Sequence, residues 1–367
     1  MKVLFLSAAN NIHTVRWVNA LVDRGVQVDL VYCTDHRPSI NKINKQVRLY
    51  ELPFGGELGY YLNIPKLKAI YHKSQPDIVN CHYASGYGTL ARLSRVRPLL
   101  LSVWGSDVYD FPYKSRLHMK IIRDNLLYAT KIASTSKAMA KQVKAIVPEY
   151  SKPIAITPFG VDLSKYSLSP GEKHRGITIG NIKTLKPKYG ISDLVNSINL
   201  LKNMMSPNDP ITFNELRVVI YGDGPLRDDI SHLVKSLHLE KTIKLMGHIK
   251  NESVPRALKR MDIFCLTSVL NSESFGVSAI EAMATGLPVV ATDTDGFTEI
   301  IPSPKYGLIV KKGDIQAIAR ELYVLIQSPD LRHKIGKKGR KRIERLYDWD
   351  QNVNQMLRVY NNVISEK

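Results

Sequence analysis

The sequence predicts an α/β fold built on two doubly wound, mostly parallel sheets. Three observations lead there. Short apolar runs alternate with amphipathic helical patterns along the chain, as they do where parallel strands are joined by crossover helices. The alternation lapses in a polar stretch, "LSKYSLSPGEKHRG" (163–176), and then begins again, so two halves of similar size flank a linker. A chain of 367 residues is also too long for one typical core and sufficient for two.

The elements follow in order. "KVLFLSA" (2–8) is a continuous apolar run, the pattern of a strand buried on both faces. Val15, Val18, Leu21 and Val22 recur at helical spacing over 13–25, with Gly25 as the stop. "VQVDLVYC" (26–33) completes a β-α-β unit. Further strands are predicted at 77–83, 98–105, 131–136 and 154–160, with helices at 85–96 and 116–129 between them. After the linker come a strand at 177–182 and a helix at 191–204 that Ser192 is placed to cap. Strands at 216–224, 242–247, 262–268 and 307–314 then alternate with helices at 226–239, 253–261, 278–286 and 315–328. The end of the chain, 331–367, reads as two helices broken near Tyr347 and Asp348. The first carries Lys337, Lys338, Arg340, Lys341, Arg342 and Arg345, a charge run read as a solvated face. The second has an apolar stripe of Trp349, Val353, Met356, Leu357 and Tyr360.

Composition narrows the function. No apolar run approaches the roughly 20 residues of a membrane span, and the N-terminal apolar run reads as a first strand, not as a signal peptide. Cys33, Cys81 and Cys265 lack metal-ligand spacing, and a reducing cytoplasm suits them. The net charge is +19. Residues 1–165 hold 23 Lys and Arg against 11 Asp and Glu, and the rest hold 29 against 22, so the excess leans to the N-terminal half. Such a surface attracts anionic lipid or phosphorylated substrates, or is simply solvated. No RNA-recognition, zinc-finger or basic-zipper pattern is present, so nucleic acid is not expected as a partner. No Gly-x-Gly-x-x-Gly follows a strand, which argues against a nicotinamide dehydrogenase.

Open α/β sheets bind ligands at the carboxyl ends of their strands. The turn after the strand 262–268 is "ESFGVSAIEAMATG" (273–286). Its Gly276 lets the backbone approach a ligand closely, and a helix N-terminus offers unpaired N–H groups to a diphosphate. Glu281, one turn into that helix, suits a vicinal diol such as ribose, while Glu273 lies on the loop before it. Spacing alone favours a surface loop acid at Glu273 and an ordinary helix-start acid at Glu281, since Glu is common at helix starts.

The quoted segment, Glu273 and Glu281 with "ESFGVSAIEAMATGLPVVAT", resembles the signature of the retaining glycosyltransferases of family four, which have the GT-B fold. "GITIGNIKTLKPKYGISDLV", "RVVIYGDGPLRDDI", "IKLMGHI", "MDIFCLTS" and "DGFTEII" occur in that family's order. So do "PDIVNCHY", "LSVWGSDV", "ASTSKAMAKQV" and "ITPFGVDLSKY", and the resemblance covers nearly the whole chain. It implies two facing Rossmann-like domains with a deep interdomain cleft: an acceptor-binding domain at 1–165, a donor domain at 166–344, and a C-terminal helix, 345–367, crossing back to the first. By position, Glu281 resembles the glutamate that holds the nucleotide ribose. Glu273 resembles the one near the transferred sugar, and the backbone of Phe275, Gly276 and Val277 the segment that binds donor oxygens. Gly247 and the backbone at His248 fall where the family seats the base. Lys183 and Lys188 match a basic pair that neutralises the leaving diphosphate without a metal. The family usually has arginine at the first of these, and lysine keeps the charge but loses the bidentate fork. Tyr189 before Gly190 is a further departure.

The N-terminal half departs more from the family pattern. Its first turn, "AANNIHT" (8–14), has Asn10 and Asn11 where the family often has glycine. Trp104 stands where many members have a histidine; it either stacks on a sugar face or packs in the core. His13 either faces the ligand or caps its helix, Asp107 either orients acceptor hydroxyls or caps the following turn, and His82 is a ligand-facing or a core histidine. The resemblance implies transfer from a nucleoside diphosphate sugar, UDP- or GDP-linked, to a saccharide or polyprenyl-linked acceptor, with retention and no cofactor or metal. Cell-surface polysaccharide synthesis, of O-antigen or capsule, on the inner face of the cytoplasmic membrane is the expected setting. A hydrolysing epimerase on the same fold and a non-enzymatic basic binder are the alternatives.

Overall fold

The computed structural model describes residues 1–39, 42–168 and 176–366. Half of the linker expected at 163–176, residues 169–175, lies outside them. The chain divides into two compact units, Met1–Pro158 with Asp350–Lys367, and Phe159–Trp349.

The first unit is a seven-stranded parallel sheet: β1 (Lys2–Leu6), β2 (Gln27–Cys33), β3 (Arg48–Leu52), β4 (Ile78–His82), β5 (Leu99–Val103), β6 (Lys131–Ser134) and β7 (Ala155–Ile156). Their order across the sheet is β3-β2-β1-β4-β5-β6-β7. β1 starts the sheet at its middle, and the order reverses between β1 and β4, the switch point where ligands bind in open α/β sheets. The central strands are buried along nearly their whole length, as continuous Val, Leu and Ile runs require. β3, "RLYEL", is an edge strand with two exposed residues at its start. It is absent from the sequence reading because a polar five-residue run carries no strand period.

Helix Ile12–Val22 follows β1 and is capped by Asn11, whose Oδ1 accepts from the His13 N–H (2.8 Å). His13 therefore sits in the first turn and does not itself cap the helix. The last helix, Trp349–Ser365, belongs almost wholly to this unit. It buries Val353, Met356, Tyr360 and Val363, each worth about 1.5–3 kcal/mol over its exposed state.

The second unit is a six-stranded parallel sheet: β8 (Ile177–Ile182), β9 (Leu216–Tyr221), β10 (Ile243–Gly247), β11 (Ile263–Leu266), β12 (Val289–Thr292) and β13 (Leu308–Val310). The order is β10-β9-β8-β11-β12-β13, so its switch point lies between β8 and β11. Helix Ile191–Met204 starts two residues earlier than a Ser192 cap requires. Its N-cap is the left-handed Gly190, and Ser192 is the second helical residue. Residues 159–165 and 345–349 group with this unit, since Phe159 and Tyr347 pack edge-on against Phe275 at 5.6 and 5.7 Å between ring centres.

The charge run on helix Pro329–Leu346 is not wholly a solvated face. Arg340 is buried and donates to the carbonyls of Tyr166 and Ala284. Arg342 donates to the carbonyls of Ile300 (2.7 Å) and Glu299 (3.0 Å). Each guanidinium satisfies orphan carbonyls at the end of a short helix, where the dipole favours a cation.

Candidate active site

In the second unit the site assembles at the carboxyl ends of β8, β11 and β12. β8 delivers the chain to Lys183, and β11 delivers it to the loop that carries Glu273. Lys183 Nζ donates to Glu273 Oε2 at 2.8 Å, and both side chains are largely covered, 12% and 8% exposed. At that burial the charges compensate each other, and losing either partner would strand the other at a cost of about 3–5 kcal/mol. Tyr189 fills the space between the two basic residues: Lys183 Nζ lies 4.9 Å and Lys188 Nζ 5.1 Å from its ring centre. Burial, then the charge of Glu273, pushes the Tyr189 phenol up to about 12. The tyrosine that departs from the family pattern is thus the platform that holds both ammonium groups.

Phe275 is buried, and Gly276 adopts φ 83°, a left-handed conformation. Helix Val277–Ala284 begins there. Its first backbone bonds run from Ala279 (3.0 Å) and Ile280 (3.3 Å) to the Gly276 carbonyl, which leaves the opening amides of Val277 and Ser278 ahead of the ladder. The loop is held from behind by Gly296. A Cβ at that position would lie 2.5 Å from the Glu273 carbonyl oxygen and 2.6 Å from the Phe275 nitrogen. Glu281 is half-buried and accepts from the Tyr166 hydroxyl at 2.8 Å. The two glutamates therefore have different partners and do not share a proton. Ser272 Oγ, Ser278 Oγ and Thr294 Oγ1 are buried around this loop without a hydrogen-bond partner among the described residues. Gly247 ends β10 with φ 72°, and His248 beyond it is exposed. Tyr166, Tyr189 as a platform, Phe297 (5.9 Å from Lys183 Nζ) and Tyr347 are missing from the sequence reading. The contacts of Tyr166, Phe297 and Tyr347 span long chain separations, and no local period signals any of the four.

In the first unit, His13, His82 and Trp104 come together at the carboxyl ends of β1, β4 and β5. The Trp104 ring centre lies 4.6 Å from that of His82, 5.1 Å from Tyr83 and 5.8 Å from His13. His82 is fully buried. Its Nε2 meets Asn80 Oδ1 at 3.1 Å, and the same oxygen accepts from the Tyr360 hydroxyl at 2.8 Å. Burial, then the charge of Arg16, pushes the His13 imidazole down to about 3. Burial, then His13, pushes His82 well below its usual range. Both rings are neutral at pH 7. Burial raises the Asp107 carboxyl, opposed by N–H donors from Ala84 (2.8 Å), Gly105 (2.8 Å) and Trp104 (3.1 Å). Asp107 thus knits together the loops after β4 and β5. Apart from these residues, Cys33, Asp35 and His36 bring one possible ligand atom each within 4.8 Å of one another after β2. The Tyr87 hydroxyl meets both the Cys33 N–H (3.1 Å) and His36 Nδ1 (2.8 Å) there.

Two parallel α/β units of this topology have the architecture of the GT-B fold. The chain belongs to the family described as glycosyl transferases group 1, whose model matches residues 165–342; a glycosyl transferase 4-like model matches residues 2–136. A phosphatidyl-myo-inositol mannosyltransferase of Mycobacterium leprae is 29% identical over 213 residues, 56% of this chain and 53% of that protein. The match thus spans about half of each protein. The capsular polysaccharide biosynthesis glycosyltransferase CapM of Staphylococcus aureus is 26% identical over 320 residues, 82% of this chain and 80% of that protein. Among solved structures, Anabaena Alr3699/HepE in complex with UDP superposes with a TM-score of 0.81 at 16% identity, covering 99% of this chain and all of that one, a likeness of fold.

Proposed function

We propose that this glycosyltransferase moves a sugar from a nucleoside diphosphate to a hydroxyl of a saccharide or lipid-linked saccharide, with retention at the anomeric carbon and without a metal. The observation that carries the reading is the Lys183–Glu273 pair at the head of helix Val277–Ala284. Breaking the bond from the anomeric carbon to the phosphate oxygen leaves negative charge on the diphosphate. The ammonium groups of Lys183 and Lys188 and the opening amides of the helix supply fixed positive ends for that charge. Glu273 holds Lys183 in place and offers its second oxygen to a sugar hydroxyl. Glu281, oriented by Tyr166, takes the ribose diol. In retention by front-face displacement, the departing phosphate accepts the acceptor's proton, so no protein base is required. The neutral His13 and the face of Trp104 are the acceptor-side groups of the first unit.

The setting we propose is cell-surface polysaccharide synthesis, with the protein peripheral on the inner, anionic face of the cytoplasmic membrane. No helix among the described residues is long and apolar enough to cross a membrane. Phe54, Leu58, Tyr61 and Leu62 are exposed together at helix Gly56–Leu62 (Leu58 at 72%), and Lys66 and Lys68 are exposed on the next helix. An apolar patch flanked by lysines suits a negatively charged lipid surface.

The reading is tested by product analysis with the accepted donor. Proton NMR of the product should show the donor's own anomeric configuration, and Lys183→Ala should lower kcat about 10²-fold or more. An inverted product, or donor turnover that needs no acceptor as in a hydrolysing epimerase, overturns it.

A further inference from the structure

We propose that an open cavity at the amino ends of the first unit's strands is a binding site for a phosphate-bearing ligand, separate from the candidate active site. The cavity measures about 850 Å³ and is lined by Arg92, Arg95, Arg97, Asp124, Leu127 and Tyr128, among others. Arg92 closes the helix Gly86–Leu93, and Arg95 and Arg97 lie on the link from it to β5. Tyr128 ends the helix that leads to β6. These positions are at the amino ends of β5 and β6, whereas Trp104 follows the carboxyl end of β5. A parallel strand of this length spans about 16 Å, so the inference stands apart from the proposed transferase chemistry.

Two of the three guanidinium groups are held by neutral partners. Arg92 Nε donates to Asn125 Oδ1 at 2.7 Å. Arg97 stacks 4.3 Å above the Tyr128 ring centre and donates to the Tyr128 carbonyl at 3.0 Å. The Arg95 side chain makes no hydrogen bond or ion pair among the described residues. Asp124 is drawn toward Lys120, at 3.6 Å. Three positive charges therefore converge on one cavity whose acid already has a cation beside it. A compensating residue at a helix C-terminus would explain Arg92, but Arg95 and Arg97 lie beyond that helix. Guanidinium forks match the oxygens of a phosphate in pairs. The Tyr128 ring and Leu127 add an apolar wall that inorganic phosphate alone would not need. A phosphate ester, whether a lipid headgroup or a soluble one, fits both features.

The test uses the full chain and two probes, inorganic pyrophosphate followed by calorimetry and vesicles of equal parts phosphatidylglycerol and phosphatidylcholine followed by cosedimentation. Two variants are compared with wild type: Arg95→Glu, and Lys141→Glu as the same charge change on another exposed helix. At least one probe should bind, with affinity reduced tenfold or more by Arg95→Glu and little changed by Lys141→Glu. Loss with pyrophosphate identifies a soluble phosphate, and loss with vesicles alone identifies a lipid headgroup. Any pyrophosphate taken up by Lys183 and Lys188 would be insensitive to Arg95. Failure of both probes to bind, or equal weakening by the two variants, overturns the proposal.

Discussion

At the scale of residues, the two sites are built from opposite electrostatic choices. The second unit buries a charge pair, Lys183 with Glu273, and keeps both charges by pairing them. The first unit encloses His82 fully and His13 in part, and burial keeps both imidazoles neutral. That choice has a pH consequence whose sign is fixed. A histidine whose folded pKa lies below its unfolded value, near 6.5, binds its proton more readily in the unfolded chain. Its contribution is therefore complete above about pH 6.5 and is lost as the pH falls from there toward the folded value, about 3 for His13. Each such histidine adds a slope of about 1.4 kcal/mol per pH unit within that window. Thermal unfolding of wild type should show the melting temperature falling from pH 6.5 to pH 4.5. The fall should be shallower in His13→Gln. Equal slopes in the two proteins would mean that His13 is not held neutral.

At the scale of elements, close backbone approach matters as much as side-chain chemistry. Gly296 is the second residue of the short helix Asp295–Ile300 after β12, and its N–H donates to the Glu273 carbonyl at 3.2 Å. With the Glu273 and Phe275 backbones so near, Gly296→Ala should push the Glu273 loop outward and destabilise the second unit by about 1–3 kcal/mol. Denaturant melts measure the loss of stability and nucleotide affinity the displacement of the loop; an unperturbed protein would show that the loop moves freely. The elements themselves were largely legible in sequence. β1, β2, β4, β5, β8 and β9 are apolar runs bounded by turns, and the break between the last two helices falls at Tyr347 and Asp348 as the pattern suggests. Glu273, Glu281, Lys183 and Lys188 were legible as a motif but not as a geometry. Nothing local to "KTLKPKY" says that Tyr189 lies under both ammonium groups, or that Tyr166 reaches Glu281 across more than a hundred residues. β3 and the helix Gly56–Leu62 were not legible, because an edge strand and a two-turn helix both face solvent and carry no buried period. The inward turn of Arg340 and Arg342 was hidden by the same logic, since a charge run reads as solvated until the carbonyls it caps are known.

At the scale of the whole molecule, the docking surface we propose, an exposed apolar patch, lies on the first unit, and the donor site we propose lies in the second. Leu58→Ser with Leu62→Ser should reduce cosedimentation with phosphatidylglycerol vesicles severalfold and leave nucleotide affinity unchanged. Undiminished vesicle binding would place the docking surface elsewhere. The central claim concerns the second unit, that Lys183, Glu273 and Glu281 form a nucleotide-sugar site. Calorimetric titration of a panel of nucleoside diphosphates and their sugars into wild type and Glu281→Ala tests it most directly. One nucleotide should bind wild type in the micromolar range, and loss of the diol contact should weaken it by roughly tenfold or more. A folded protein that binds no nucleotide, or binds one equally well without the Glu281 carboxylate, would contradict it.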